Sequence, residues 1–302
     1  MQKDYKGKIS AMDRLISEYP ESQYVDDALF EKGRSYVLLE NSSSAAQAFE
    51  KLIREFPQSS LARKAGIQLG LLYYNDNQPE KALAAYKQVI SNYPGSEEAK
   101  IALQDLKSVY IDLNDINAYA SYVNSIGGNI RLEVGEQDSL TYIAAEKLFM
   151  RGDNDGARRS LINYLQTFPE GAFSSNANFY LGSIAFAKKE FDEAIQRFKS
   201  VIASGDTKFL EESVARTAEI EYLSKDYPAA LESFKRLQIV AENPENRQAA
   251  RLGIMRCALQ TGQQKDALLA ADELLKEPKL SPELEAEARY VRAKAYIAQK
   301  QA

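Results

Sequence analysis

The sequence predicts an all-α protein, a solenoid of antiparallel helix pairs, and three observations carry that prediction. A corner phrase repeats: Tyr19-Pro20-Glu21-Ser22 returns as Phe56-Pro57-Gln58-Ser59, as Tyr93-Pro94-Gly95-Ser96 and more loosely as Phe168-Pro169-Glu170-Gly171. Its spacing is fixed: Pro20, Pro57 and Pro94 stand 37 residues apart, and Pro169 follows two such steps plus one. Between the corners apolar residues recur at helical spacing. A period in the range of roughly 20–50 residues is the signature of a solenoid.

The corner has a mechanism. Proline cannot continue a helix and pushes the residue before it out of α geometry, so the aromatic–proline pair ends one helix. The serine two residues on can accept from a free N–H and cap the next.

Taken in order, residues 5–19 read as one helix with Ile9, Met12, Leu15 and Ile16 on one face, ended by Pro20. The next unit runs through Leu29, Gly33 and Tyr36, turns at Asn41-Ser42-Ser43-Ser44, continues with Ala45, Phe49 and Leu52, and closes at Pro57. Its successor copies it with Gly66, Gly70 and Tyr73, a turn at Asn75-Asp76-Asn77, then Ala82, Tyr86 and Val89. Gly33 or Gly70 and Ala45 or Ala82 let two backbones approach, and the large residues beyond each alanine fill the seam. Gly70→Leu is expected to overpack that seam, and Gly66→Ala to be mild or even stabilising.

These residues resemble the tetratricopeptide repeat. Its pattern falls on Leu29, Gly33, Tyr36, Ala45, Phe49, Leu52 and Pro57. The standard unit is about 34 residues; here the unit is some three residues longer, with the excess at the corner. That longer corner is similar to the repeats of bacterial cell-envelope proteins, such as the tetratricopeptide lipoprotein of the outer-membrane β-barrel assembly machine and the periplasmic coordinator of the Tol-Pal system. The resemblance covers nearly the whole chain: the small anchor recurs at Ala157, Ala194, Ala230 and Ala267, and Gly182 stands 12 residues before Ala194 as Gly33 does before Ala45. It implies a right-handed superhelix of about seven units with half units at the ends, either a piece of a longer array or an array capped by a partner.

One stretch departs from the pattern. The third unit calls for a small residue at 119 and a proline at 131 and finds Tyr119 and Arg131. Gly127 to Gly135 reads as neither helix nor tight turn, and the periodicity resumes at Asp138. The expected organisation is an N-terminal sub-solenoid over 1–126, an irregular break over 127–137 and a C-terminal sub-solenoid over 138–302.

Composition narrows function. The 302 residues carry a net charge of −5, with a pI near 5.2 and a mean hydropathy of −0.42. Nucleic-acid binding needs a basic footprint, and this balance has the wrong sign. No run approaches the roughly 18 apolar residues of a membrane span. Met1-Gln2-Lys3-Asp4-Tyr5 leads into amphipathic helix rather than the apolar core of a secretory signal. A single cysteine permits no internal disulfide, and the absence of histidine removes the commonest general base and metal ligand.

Several local motifs have plain structural readings. Arg151-Gly152-Asp153 spells an integrin-binding tripeptide but falls in a turn between helices, where Gly-Asp ends one helix and caps another. Asp153-Asn154-Asp155-Gly156 opens like a calcium loop, but Tyr164 and Leu165 stand where its closing glutamate is required. Gly127-Gly128 lacks the strand and the Lys-Ser/Thr of a phosphate loop. Cys257, among Ile254, Met255 and Leu259, reads as a buried inert thiol. Glutamate pairs such as Glu211-Glu212 serve helix starts. No catalytic residue, cofactor or metal is therefore expected.

The aromatics, 18 Tyr and 12 Phe with no Trp, are more informative. The resemblance implies groove-facing positions at the second, fifth, ninth and twelfth places of each first helix, which here hold Phe30, Tyr74, Tyr142, Phe149, Phe179, Phe186, Tyr222 and Tyr290. Two readings stay open and fit the sequence equally: rings packed against the facing wall, or a groove for an extended or helical peptide. The expected function is a non-catalytic protein–protein interaction scaffold that binds a partner protein or peptide in a concave groove. The resemblance sets it in the periplasm or cell envelope, with a cytoplasmic home also open. The alternatives are a self-associating structural spine, joined through uncapped ends, and then an enzyme with no recognisable motif.

Overall fold

A computed structural model describes residues 4–127, 131–278 and 280–300. Among them there are sixteen α-helices and no strand. Clustering of the backbone separates two compact units, Met1–Leu132 and Glu133–Ala302.

The first unit contains α1 (Tyr5–Glu18), α2 (Val25–Leu38), α3 (Ser42–Glu55), α4 (Ser60–Asn75), α5 (Pro79–Asn92), α6 (Glu97–Asp112) and α7 (Ile116–Ile126). The second contains α8 (Val134–Met150), α9 (Asn154–Thr167), α10 (Ser174–Ala187), α11 (Phe191–Ser204), α12 (Leu210–Leu223), α13 (Tyr227–Val240), α14 (Pro244–Gln260), α15 (Gln264–Leu274) and α16 (Pro282–Lys300). Within each unit every helix packs on its neighbours in sequence. Successive first helices also touch, α2 with α4, α4 with α6, α12 with α14 and α14 with α16. This is a solenoid of tetratricopeptide-type helix pairs.

The corners behave as their chemistry requires. Tyr19, Phe56, Tyr93 and Phe168, the aromatics before proline, share one conformation, with φ between −128° and −133° and ψ between 53° and 70°. Ser59 and Ser96 then sit in the extended region, and their hydroxyls accept from the N–H of Leu61 and of Ala99, each at 3.1 Å. The Tyr93 hydroxyl donates to the Pro57 carbonyl at 2.9 Å, joining successive corners. Ser22 differs: α2 starts later, after Tyr24.

Inside each pair a second device recurs. Glu40, Asn77, Asn114, Gly152, Lys189, Lys225 and Gly262 all have positive φ, between 55° and 81°, at steps of 36 to 38 residues. Each ends a first helix in the left-handed conformation. At Lys225 the N–H donates to Tyr222 and the next N–H, of Asp226, donates to Glu221, closing a Schellman motif. Asp226 at once caps α13, accepting from Ala229 at 3.2 Å. Asp153 does the same for α9, accepting from Gly156 at 2.9 Å, so the Arg-Gly-Asp and calcium-like motifs resolve into one turn and one cap.

The seams are close. A Cβ on Gly33 would lie 2.5 Å from the Phe49 ring, on Gly70 2.4 Å from Tyr86, and on Gly182 2.8 Å from Phe198. Six anchor alanines, at 45, 82, 157, 194, 230 and 267, are each fully buried. Gly66 corrects the expectation of mildness, because a Cβ there would meet the stiff, buried Val89 side chain at 2.3 Å. Two boundaries are also corrected. Ser42–Ser44 form the first turn of α3, capped by Asn41, rather than a turn of their own. The helix of the next unit begins at Val134, not Asp138, so 134–137 are helical. Of the expected break, residues 128–130 lie outside the described residues. The third unit forms its pair despite Tyr119, which is buried against Tyr110 with ring centroids 6.0 Å apart.

Gly70→Leu and Gly66→Ala are both expected to destabilise, the first by about 1–3 kcal/mol or more through overpacking. Lys225→Gly relieves a left-handed lysine and is expected to stabilise by about 0.5–1 kcal/mol. Urea melts followed by circular dichroism check all three; a stabilised Gly70→Leu or a destabilised Lys225→Gly contradicts the seam or the turn.

Candidate functional site

A binding face must leave side chains uncovered, and of the eight groove positions Tyr142 is buried, Tyr290 is exposed and the other six are half-buried. Phe30 is half-buried beside Phe49, ring centroids 5.9 Å apart. The Tyr74 hydroxyl donates to Asp112. Tyr142 is buried, 3% exposed, and leaves the candidate set: its ring stacks on Phe173 at 4.5 Å with planes 2° apart. Its hydroxyl donates to Glu146 at 2.6 Å and accepts from Asn176 at 3.1 Å. Phe149 packs on Tyr180 at 4.6 Å, and Phe179 stacks on Phe209 at 4.2 Å. Phe186 lies under the Arg216 guanidinium at 4.9 Å. Tyr222 is half-buried, edge-on to Tyr227 and Phe234. Tyr290 is 62% exposed with the Lys294 ammonium 6.0 Å from its ring.

In the second unit Tyr142 therefore joins the wall, while Phe149 and Phe179 stay half-buried. Two corner aromatics stack on Tyr142 and Phe179. Phe173 and Phe209 are the N-cap residues of α10 and α12, where the corner lacks a Pro-x-Ser phrase, and each folds its ring onto the preceding first helix. A buried polar network completes this wall. Asp138 accepts from the Tyr164 hydroxyl at 2.6 Å and from the Ala172 N–H at 2.9 Å, while that hydroxyl accepts from the Phe173 N–H at 3.0 Å. Burial first, then the Asp138 hydrogen bond, push the Tyr164 hydroxyl well above its ordinary pKa.

One repeat further on, the covering is missing. Ala215 stands 36 residues after Phe179, and α14 starts from Asn243 with no aromatic cap. A cleft of about 380 Å³ opens there between α12 and α14, floored by Phe234 and Leu237 of α13. Its walls carry Ala215, Tyr222, Leu223, Ala249 and Leu252 with Glu212, Arg216, Glu219 and Arg256. Arg216 donates to Glu212 at 2.8 Å and to Glu219 at 2.9 Å, and Arg256 grips Glu287 with two bonds of 2.7 Å. Burial works against the Arg216 charge, but Glu212 and Glu219 outweigh it and hold its pKa above the ordinary value. For Arg256 the Glu287 hydrogen bonds raise it. Of the expected residues only Tyr222 lines this cleft. Its charged frame was hidden because Glu212, Arg216 and Glu219, at i, i+4 and i+7, read as an ordinary solvated helix face.

A second opening, about 610 Å³, lies in the first unit between α3 and α5 over Leu69 and Tyr73. There Tyr73 donates to Glu50 at 2.6 Å; burial and then Glu50 push its pKa up to about 12. Cys257 is fully buried, and desolvation raises its thiol to about 11, so it is protonated at neutral pH. Among the described residues no group of three or more His, Cys, Asp or Glu side chains is placed to hold a metal ion, and no helix is long and apolar enough to cross a membrane.

The fold is a solenoid of helix pairs, and the chain resembles tetratricopeptide-repeat proteins. Residues 26–104 match the YfiO family, described as outer membrane lipoprotein, and residues 144–207 match a tetratricopeptide repeat family; each match covers less than half of the chain. No curated protein matches the sequence. Solved structures that match include a tetratricopeptide repeat protein from Parabacteroides merdae ATCC 43184, 15% identical over 90% of this chain and 98% of that one, with a TM-score of 0.33. Naa15/Naa10 bound to HypK-THB is 17% identical over 95% of this chain, with a TM-score of 0.47. The APC/C hetero-tetramer Cut9-Hcn1 is 15% identical over 84%, with a TM-score of 0.34. The chain spans 42% and 46% of the lengths of those last two, respectively.

Because Phe179 is a half-buried ring stacked on Phe209 and Tyr290 an exposed one, truncating them separates packing from exposure. Phe179→Ala is expected to lower stability by roughly 1–3 kcal/mol, whereas Tyr290→Ala stays within about 0.5 kcal/mol of wild type. Thermal melts decide; equal effects contradict the placement of these rings.

Proposed function

We propose that this chain is a non-catalytic scaffold that holds a partner protein or peptide against its first-helix face, in a bacterial envelope assembly. The carrying observation is the cleft between α12 and α14, an apolar floor left open where the two preceding repeats carry stacked rings. Partly apolar concave sites with a few fixed polar groups are the ordinary form of binding sites, and repeat arrays use such faces for partners. The similarity of residues 26–104 to the outer membrane lipoprotein family supports the envelope setting. Phe186, Tyr222 and Tyr290 remain the groove rings proposed to meet a partner, with Phe30 and Tyr74 as their counterparts in the first unit.

Site-specific photo-crosslinking tests this. A benzophenone side chain replaces Leu223, on the cleft rim, or Ile239, 84% exposed on α13. In native cells, adducts from the Leu223 position alone, recovered with the envelope fraction, are expected. Absence of adducts, or equal adducts from both positions, contradicts the scaffold reading. Adducts at twice the chain mass favour the self-associating spine instead.

A further inference from the structure

Three places in the second unit are related by the repeat. At the first, Tyr142 stacks on Phe173; at the second, 37 residues on, Phe179 stacks on Phe209. At the third, Ala215 occupies the position of the lower ring, and the corner before α14 supplies no upper ring. Ala215 lines the cleft of about 380 Å³, so the cleft takes in the repeat position where the earlier units carry a stacked aromatic pair.

Its charged frame is nearly closed on itself. Arg216 is held by Glu212 and Glu219, and Arg256 by Glu287. Two carboxylates, Glu212 and Glu219, and two guanidiniums, Arg216 and Arg256, line the cleft, and both guanidiniums are already paired, Arg256 with Glu287 outside the lining, so the frame has no unpaired cation for an acidic ligand.

We propose that the α12–α14 cleft receives an aromatic side chain from an extended, non-acidic segment of a partner protein, the ring taking the place that Phe179 and Phe209 fill one repeat earlier. This rests on the scaffold reading and adds the chemistry of the occupant. The aromatic ring matches the place in shape, because the same helix geometry accepts rings twice already. The absence of acidic residues beside it follows from the frame: a further carboxylate would meet Glu212 and Glu219 and find both guanidiniums already paired.

The test is selection of a phage-displayed library of random 12-residue peptides on the full chain, followed by affinity measurement of the recovered peptides as capped synthetic molecules. Recovered peptides are expected to share one Phe, Tyr or Trp, to be depleted in Asp and Glu, and to lose at least tenfold in affinity on Ala215→Phe, which fills the cleft from within. Ala249→Arg, at an exposed wall position, is expected to cause a similar loss, and melts of both variants verify that they fold. Recovery of acidic peptides, or of aromatic peptides whose affinity neither variant changes, overturns the assignment of this cleft while the scaffold reading stands. Recovery of no peptide above a bead control overturns the inference, and whether the Leu223 crosslinks form then decides the scaffold reading separately.

Discussion

The rest of this structure depends on how closely the two helices of a pair approach each other. Where Gly33, Gly70 and Gly182 face Phe49, Tyr86 and Phe198, a single added carbon would fall within 2.8 Å of the ring. Protein interiors are packed to crystal-like density, so such contacts tolerate no extra atom. The approach fixes the tilt within a pair, and the left-handed residue at the end of each first helix fixes how abruptly the chain turns back. With both set, the next corner begins about 37 residues later, and the period of the sequence is the period of this geometry.

The same regularity explains why the second unit has a cleft at all. In a repeat array each unit buries its apolar face only against its neighbours. Rings at Phe173 and Phe209 complete that burial for two successive first helices. When the chain substitutes Ala215 below and Asn243 above, the backbone repeats but the filling does not. The cleft arises from a local omission inside an otherwise repeated frame.

How much of this was legible in the sequence depends on the range over which each signal acts. The corners were legible because Pro57, Ser59, Pro94 and Ser96 act on backbone groups two or three residues away. The anchor alanines were legible because periodicity marks them. The turn at Lys189 and Lys225 was not, since lysine is no turn signal and the left-handed conformation is enforced by the hydrogen bonds of the helix end. The groove rings were half legible. Repeat register places Tyr142 and Phe179 on the first helices correctly, but whether they are covered depends on Phe173 and Phe209, which lie outside the family pattern. The cleft itself is defined by a small residue where large ones stand elsewhere, a signal visible only once the stacked pairs are seen.

The central claim is that stacked ring pairs pack on the first-helix face at α8 and α10 and that no such pair fills the cleft between α12 and α14. Carbene footprinting of the free chain, read residue by residue by mass spectrometry, measures that directly. The account predicts strong labelling at Leu223 and Ala249, comparable with Tyr290, and protection at Tyr142, Tyr164 and Phe179. Labelling of Phe179 as strong as that of Tyr290, or protection of Leu223 and Ala249, would contradict it.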